Sequence, residues 1–395
     1  MVEQQTGTPS VASTAPLPRL DFIDALRGLV IALMVLDHTR DFVNRQAFLF
    51  DPLDLDKTSV ALFLTRWVTH LCAPTFVLLS GVSIFLQANR GKTGWPLSRF
   101  LLTRGLWLIF LEVTVVDFGF DFRPAVFLQV IYAIGLSMVL MSAAVHLPRR
   151  AVLALGIALV AGHNLFDGVD AGTLGAWGLP WHLLMQPGVL PFGFIAYPVL
   201  PWFGVMCVGY GIGDIYLMES SRRTRTLALL AIGMLVLFFV LRLPNLYGDP
   251  RPWTVPSDHS LTPLAVMSVA KYPPSLDYVL VTLGISTLLG LALGRAPAWL
   301  LKPFLAFGRT PMLSYLLHIY LAHIFAVVIA QFYGVPAAHF IGTLSDQSRL
   351  RADGWGLSLW GTYAVWLAVL VVLYPIASAY ARYRATHKKW WLSYL

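Results

Sequence analysis

RTRTLALLAIGMLVLFFVL, residues 223–241, and YAVWLAVLVVLYPIASAYA, residues 363–381, are almost free of charge and long enough to cross a bilayer. A crossing takes about 20 apolar residues. Backbone polar groups in hydrocarbon must be bonded within their own segment, so such runs are helices. No ten-residue alternation suggests a barrel instead. The whole chain follows suit: of 395 residues, 57% are hydrophobic and 12% charged, about half the charged fraction of a soluble protein. Ten spans are expected, near 22–41, 59–88, 100–119, 124–146, 149–163, 191–217, 223–243, 275–294, 311–333 and 356–381. The fold class is therefore all-α, a polytopic transmembrane helix bundle of about ten helices. Its domain runs over 19–385. A Ser-, Thr- and Pro-containing tail at 1–18 reads as disordered, and a short tail at 386–395 ends the chain. No basic region with a cleavage site precedes the first span, so no removable signal peptide is expected. Pro74 predicts a kink or tilt in the second span. The Gly-, Trp- and Pro-rich stretch 164–190 is a candidate re-entrant segment. No internal repeat stands out, which weakens an inverted-repeat transporter.

The net charge is +8. Lys and Arg collect in short cytoplasmic loops. With the N-terminus inside, the inner segments carry fifteen basic residues and the outer segments nine, so both termini are expected in the cytoplasm. This placement excludes nucleic acid as a partner. Cys72 and Cys207 fall in apolar runs and read as reduced core residues, with no disulfide framework.

Ionisable groups at membrane depth are costly and face a cavity or one another. Here they are Asp24, Arg27, Asp37, His38, Arg66, His70, Arg104, Glu112, Arg309, His318 and His323. So many imply a polar site, although Arg104 is close enough to a span end to snorkel. The first span, DFIDALRGLVIALMVLDHTRDF (21–42), is the most informative. Arg27 and His38 stand eleven residues apart, about three turns, on one face and about 16 Å apart along the axis. An anion-binding group at the inner end is thus joined to a proton-transfer group at the outer end. Asp24, three residues before Arg27, is placed to hold its guanidinium. The plainer alternative is a helix-end ion pair with an interfacial histidine.

Arg66 and His70, four apart, share a helix face in the outer half. They suit acceptor binding or oxyanion stabilisation, or equally a polar helix contact. Glu112 sits alone among apolar residues and is expected to be protonated or to pair with Arg66 or a histidine, with Gln129 and Tyr132 nearby. Arg309, in FGRTPM, opens the ninth span with Pro311 in its first turn. That is a good anion site, with Lys302 close in sequence. His318 and His323 point about 140° apart around their helix and cannot share one ligand. No metal-ligand spacing rises above chance. The outer loop 244–274 holds Asn245, Tyr247, Asp249, Trp253, Asp258, His259 and Lys271, a mixture that suits a sugar or polar amine as well as an ordinary interfacial loop.

Arg-x10-His on the first helix resembles the signature of the family-3 membrane acyltransferases. FVLLSGVSIF (76–85) resembles that superfamily's aromatic–Ser–Gly stretch. More closely, IDALRG (23–28), TRWVTHLCAPTFVLLSG (65–81), YPVLPWFGVMCVGYGIG (197–213), YGDPRPW (247–253), KYPPSLDYVLVTLG (271–284) and FGRTPMLSYLLHIYLAH (307–323) look like the bacterial branch of the heparan-α-glucosaminide N-acetyltransferase catalytic-domain family. The resemblance runs from about 19 to 381. It implies acetyl-CoA or another acyl-CoA as donor, no metal, and an amine or hydroxyl of a sugar-like or other small molecule as acceptor. The lysosomal member has its key histidine between helices 1 and 2, where residues 39–57 here contain none. The role is therefore carried to His38 or, less directly, to His70. The catalytic set is then His38, Asp37, Arg66 and His70, with Asp37 or another carboxylate orienting His38. Arg27, Arg309, Lys302, Ser80 and Gly81 are expected around coenzyme A. Glu112, His318, Trp202 and Lys271 are expected around the acceptor. The resemblance implies a multi-pass protein of the bacterial inner membrane, with the lipid bilayer and the acceptor as partners; a homodimer stays open. The rival class is a proton-coupled transporter of a small polar solute, which also needs buried Arg, His and Glu.

Overall fold

The computed structural model describes residues 21–342, 344–387, 389 and 392. The expected tail at 1–18 and most of 386–395 lie outside them. Among the described residues the chain is a helix bundle, with one small sheet and several short turns.

Helix α1 (Asp21–Val43) is its axis. It packs against α2 (Val60–Thr69), α3 (Cys72–Asn89), α12 (Leu276–Leu293), α13 (Ala298–Arg309), α14 (Pro311–Phe332) and α16 (Leu359–Thr386). A second layer is built from α4 (Gly94–Leu111), α6 (Val130–Ala144), α7 (Arg149–Gly162) and α9 (Val199–Gly211). Helix α10 (Ser220–Arg242) leans on α12 with most of its apolar surface outward. A helix that carries Asp24, Arg27, Asp37, His38 and Arg40 can occupy the centre only because its neighbours supply polar partners.

Among the described residues, seven helical stretches are long and apolar enough to cross a membrane: Val60–Asn89, Arg149–Phe166, Val199–Leu217, Ser220–Arg242, Leu276–Leu293, Pro311–Phe332 and Leu359–Thr386. The expected spans at 22–41, 100–119 and 124–146 are helical too. However, α1 is rich in charge, α4 is interrupted, and α6 has 15 residues.

Several local expectations change. The span 59–88 is one helical stretch, Val60–Asn89, interrupted at His70 and Leu71, where the expected kink divides it into α2 and α3. Pro74 is the reason. It sits in the first turn of α3, where its missing N–H costs nothing, while its ring would clash with the His70 carbonyl in a continuous helix. The span 100–119 passes through a π-helical turn at Glu112–Val116 before α5 (Asp117–Asp121). The span at 191–217 becomes helical only at Val199. Before it, β2 (Gly188–Leu190) and β3 (Gly193–Ile195) form a hairpin that pairs with β1 (Phe127–Leu128) in the order β1-β3-β2. The stretch 164–190, the candidate re-entrant segment, contains short 3-10 turns and α8 (Gly178–Leu184).

Helix α13 was not expected. Its twelve residues carry Lys302, Pro303 and Arg309 and give no spanning signal. It lies along the Arg27 end of α1. A Cβ at Gly28 would fall on the Phe304 carbonyl, and one at Gly308 on the Asp24 carbonyl. Paired small residues let the two backbones touch.

The outer loop expected near the acceptor mostly serves itself. The Arg242 guanidinium donates to the carbonyls of Val266, Arg251 and Ser268 at 3.0, 2.8 and 2.6 Å. Asp249 accepts from the Ala270 N–H and the Ser275 hydroxyl, both at 2.7 Å. The Asn245 side-chain amide donates to the Trp253 carbonyl and accepts from the Trp253 N–H. Of this loop's charged groups, Lys271 turns inward.

Candidate active site

Two polar clusters lie on α1, one at each end. At the Arg27 end, Asp24 takes the Arg27 guanidinium at 3.0 Å, as the three-residue spacing predicts. Ser83 and the Gly308 carbonyl complete the contact at 3.4 and 3.5 Å. Arg27 lines a cavity of about 120 Å³ between α1, α3, α4, α6 and α14, together with Ser80, Arg104, Met138, Met312 and Tyr315. The Tyr315 hydroxyl is buried and has no hydrogen-bond partner among the described residues.

Not every residue expected around coenzyme A meets this cavity. Gly81 faces the other way, where a Cβ would strike the Met206 carbonyl, so it serves the contact between α3 and α9. Arg309 and Lys302 line a separate cleft between α13 and α16. Asp24 touches both sides, with Arg309 Nε 3.9 Å from its second oxygen. Arg309 also pairs with Asp21 at 3.1 Å.

At the opposite end, His38 Nδ1 lies 2.7 Å from His318 Nε2. His318 Nδ1 lies 3.0 Å from the Ser314 carbonyl oxygen one turn back. A carbonyl only accepts, so His318 Nδ1 carries the hydrogen. With that ring neutral, its Nε2 is the acceptor. His38 Nδ1–H therefore donates to His318, and the lone pair of His38 lies on Nε2. That nitrogen has no partner among the described residues. His318 is wholly buried, whereas His38 keeps some exposed surface. The Phe120 ring packs edge-on against His38 at 5.1 Å.

His318 is thus the partner of His38, a place expected for Asp37. The Asp37 carboxylate is instead held by cations: Arg66 at 2.7 Å, Arg40 at 3.0 Å and Lys271 at 3.9 Å. Arg40 also meets Asp41 at 2.6 Å. Lys271, placed in the outer loop by sequence, is buried, and so is Arg40 near the end of α1. His70 is buried beside this network, its ring edge-on to Tyr278 and its Nδ1 without a partner among the described residues. Trp202 is fully buried between Tyr197 and Tyr278, at ring distances of 5.4 and 6.4 Å.

Glu112 has a different role from the pairing expected for it. Its two oxygens accept from the backbone N–H groups of Gln129 and Tyr132 at 3.2 and 2.8 Å. It caps the N-terminus of α6, where unpaired N–H groups and the helix dipole favour a carboxylate. The π-helical turn begins at this residue. His323 faces away from His318, as their spacing requires. Its ring is stacked between Phe42 and Phe122, and its nitrogens meet the carbonyls of Gly119 and Phe340.

Tyr315 and Arg104 were not assigned to the site from sequence. Tyr315 had a usable signal: it is three residues before His318, hence on the same helical face, and the two rings lie 5.5 Å apart.

A membrane-embedded bundle whose central helix joins a basic cavity to a histidine pair is equipped for proton transfer on an anionic substrate. The chain belongs to the heparan-α-glucosaminide N-acetyltransferase catalytic family, whose pattern matches residues 19–246. It is a transferase of the membrane acetyltransferase class. The match covers α1 to α10, while His318, Lys271, Lys302 and Arg309 lie beyond it. No curated protein matches the chain.

Proposed function

We propose that this protein transfers an acetyl or other short acyl group from coenzyme A to an amine or hydroxyl of a small acceptor, with His38 as general base. The observation that carries this reading is the path along α1. Arg27 and Arg104 stand at the cavity, Tyr315 is in its wall, and Tyr315 packs on His318, which bonds to His38.

Acyl-coenzyme A supplies the activated carbonyl and a thiolate leaving group. The narrow cavity suits its thin pantetheine arm, and its phosphates suit Arg27 and Arg104. Arg309 braces Asp24 and so keeps Arg27 turned inward. His38 Nε2 takes the proton from the acceptor as the new C–N or C–O bond forms. The C–S bond breaks, and His38 returns the proton to sulfur. His318 fixes the tautomer that makes this direction available. The unpaired Tyr315 hydroxyl is a donor for the carbonyl oxygen as charge develops. Arg66 and Lys271 hold Asp37 and shape the acceptor side. The acceptor class we favour is a sugar or a polar amine.

Arg27→Gln is expected to weaken coenzyme A binding about tenfold, the loss of one charge-assisted contact worth about 1.5 kcal/mol. Its affinity should also vary less with salt than the wild type's. Titration calorimetry with coenzyme A checks both. Unchanged affinity would move the phosphate site away from Arg27.

The loop charges favour the Arg27 end in the cytoplasm of a bacterial inner membrane. Coenzyme A does not cross a bilayer unaided, because its phosphates would lose their hydration. Sealed inside-out vesicles should therefore consume added acetyl-CoA and release free thiol, while modifying an amine acceptor trapped in the lumen. Right-side-out vesicles should not. Equal use of external donor in both orientations refutes this handover across the membrane. Vectorial uptake of the acceptor without any covalent change refutes the acyltransferase itself.

A further inference from the structure

The cleft between α13 and α16 is left over from the proposed reaction. Its volume is about 380 Å³, and four cations line it: Lys302, Arg309, Arg382 and Arg384. No carboxylate is among its lining residues. Among the described residues, Lys302 and Arg382 have no ion-pair partner, and Arg384 donates only to the Arg309 carbonyl, at 3.2 Å. It shares neither a residue nor a helix with the cavity that holds Arg27.

Cations at helix C-termini complement the helix dipole, and cytoplasmic loops are basic in any case. Those effects would be met by side chains fanned into solvent. Here basic side chains from two helices converge on one cleft.

The cleft also has a direction. Arg382 and Arg384 lie in the last turns of α16, and Lys302 faces them from the middle of the short helix α13. Tyr374 lies eight residues before Arg382, hence about 12 Å deeper. Leu305, Ala306 and Ala381 supply apolar wall. Beyond Tyr374 the outward face of α16 continues with exposed Val371 and Val372. A cluster of cations above an apolar track matches an anionic amphiphile better than a free phosphate. Guanidinium groups are suited to bind phosphate oxygens in pairs.

We propose that this cleft binds an anionic phospholipid, its phosphate held by Arg382, Arg384 and Lys302 and its acyl chain lying along α16. The shared chemistry is a phosphate ester at the membrane surface, and coenzyme A or inorganic phosphate would be the competing sources. The site is independent of the acyltransferase reading and is tested without any acyl donor.

The full chain, purified in detergent, is titrated with phosphatidylglycerol and with phosphatidylcholine, and bound lipid is counted by native mass spectrometry. The wild type should favour phosphatidylglycerol at least tenfold. The double variant Arg382→Gln/Arg384→Gln should lose that preference and keep its coenzyme A affinity within twofold. Equal binding of the two lipids by the wild type overturns the proposal. So does displacement of phosphatidylglycerol from the wild type by inorganic phosphate or coenzyme A at similar concentration, which assigns the cleft to a free phosphate. A parallel loss of coenzyme A affinity in the variant assigns it to the donor and also overturns the proposal. The wild-type competition decides the matter even if the double variant does not fold.

Discussion

His38→Ala lowers acyl transfer by about 10² to 10⁴, the usual worth of a positioned general base, while the protein stays folded in the membrane. Folding should survive because His38 keeps exposed surface and its ring bonds to one group, His318, among the described residues. The measurement is thiol release from acetyl-CoA by the purified variant, with coenzyme A affinity as the control. Affinity should hardly change, since the Arg27 cavity lies about three turns away along α1. Near-normal turnover would remove His38 from its role. His318→Ala is a sharper probe of the pair. It frees the His38 ring to rotate and to exchange tautomers, so the rate should fall by less than in His38→Ala. His318→Gln, which retains an acceptor at that place, should recover part of the loss. Equal loss in all three variants would mean that His318 acts directly on substrate.

Much of this site could be read in the sequence because α1 is a single regular helix. Helical geometry alone placed Arg27, Asp24 and His38, and the structure pairs Asp24 with Arg27 as the spacing requires. The divergence of His318 and His323 followed from the same geometry. What helical spacing does not reveal is the partner across the bundle. His38 and His318 are 280 residues apart in sequence and 2.7 Å apart in space. Asp37 could orient His38 or meet Arg66, and the choice depends on how α2 docks against α1. Glu112 could not be read as a helix cap, because the helix that it caps begins eighteen residues later, after a turn and a short strand. Helix α13 was invisible for a different reason. Hydropathy detects segments that cross a membrane, and a twelve-residue amphipathic helix at the surface does not. The same blindness hid the division of the basic residues between two cavities. A shared inner end put Arg309 with Arg27, and sequence proximity to Arg309 added Lys302; the close contact of α13 with α1 brings them near, but on the other side of Asp24.

Asp37→Ala should be the most destabilising single change at the His38 end. Asp37 is the carboxylate that Arg66 meets, at 2.7 Å, and the nearest one to Lys271. Both cations are largely buried, with side-chain exposures of 14% and 7%. Arg40 keeps Asp41 at 2.6 Å and is less affected. Removing one member of a buried ion pair costs about 3–5 kcal/mol, because the other is left charged in a low-dielectric place. That cost is largely desolvation, so it should be relieved by removing the stranded cation as well. Asp37→Ala/Arg66→Met should therefore regain a substantial part of the lost stability, since a well-packed apolar pair often matches a buried ion pair. Thermal unfolding of the purified variants in one detergent measures this. If the double variant is as unstable as the sum of its single changes, the two residues are not coupled and the network is misassigned. The same double variant separates support from chemistry. It leaves the hydrogen bond between His38 and His318 in place, so acyl transfer should persist at a reduced rate. A complete loss of turnover in a well-folded double variant would mean that Asp37 or Arg66 acts on the substrate itself.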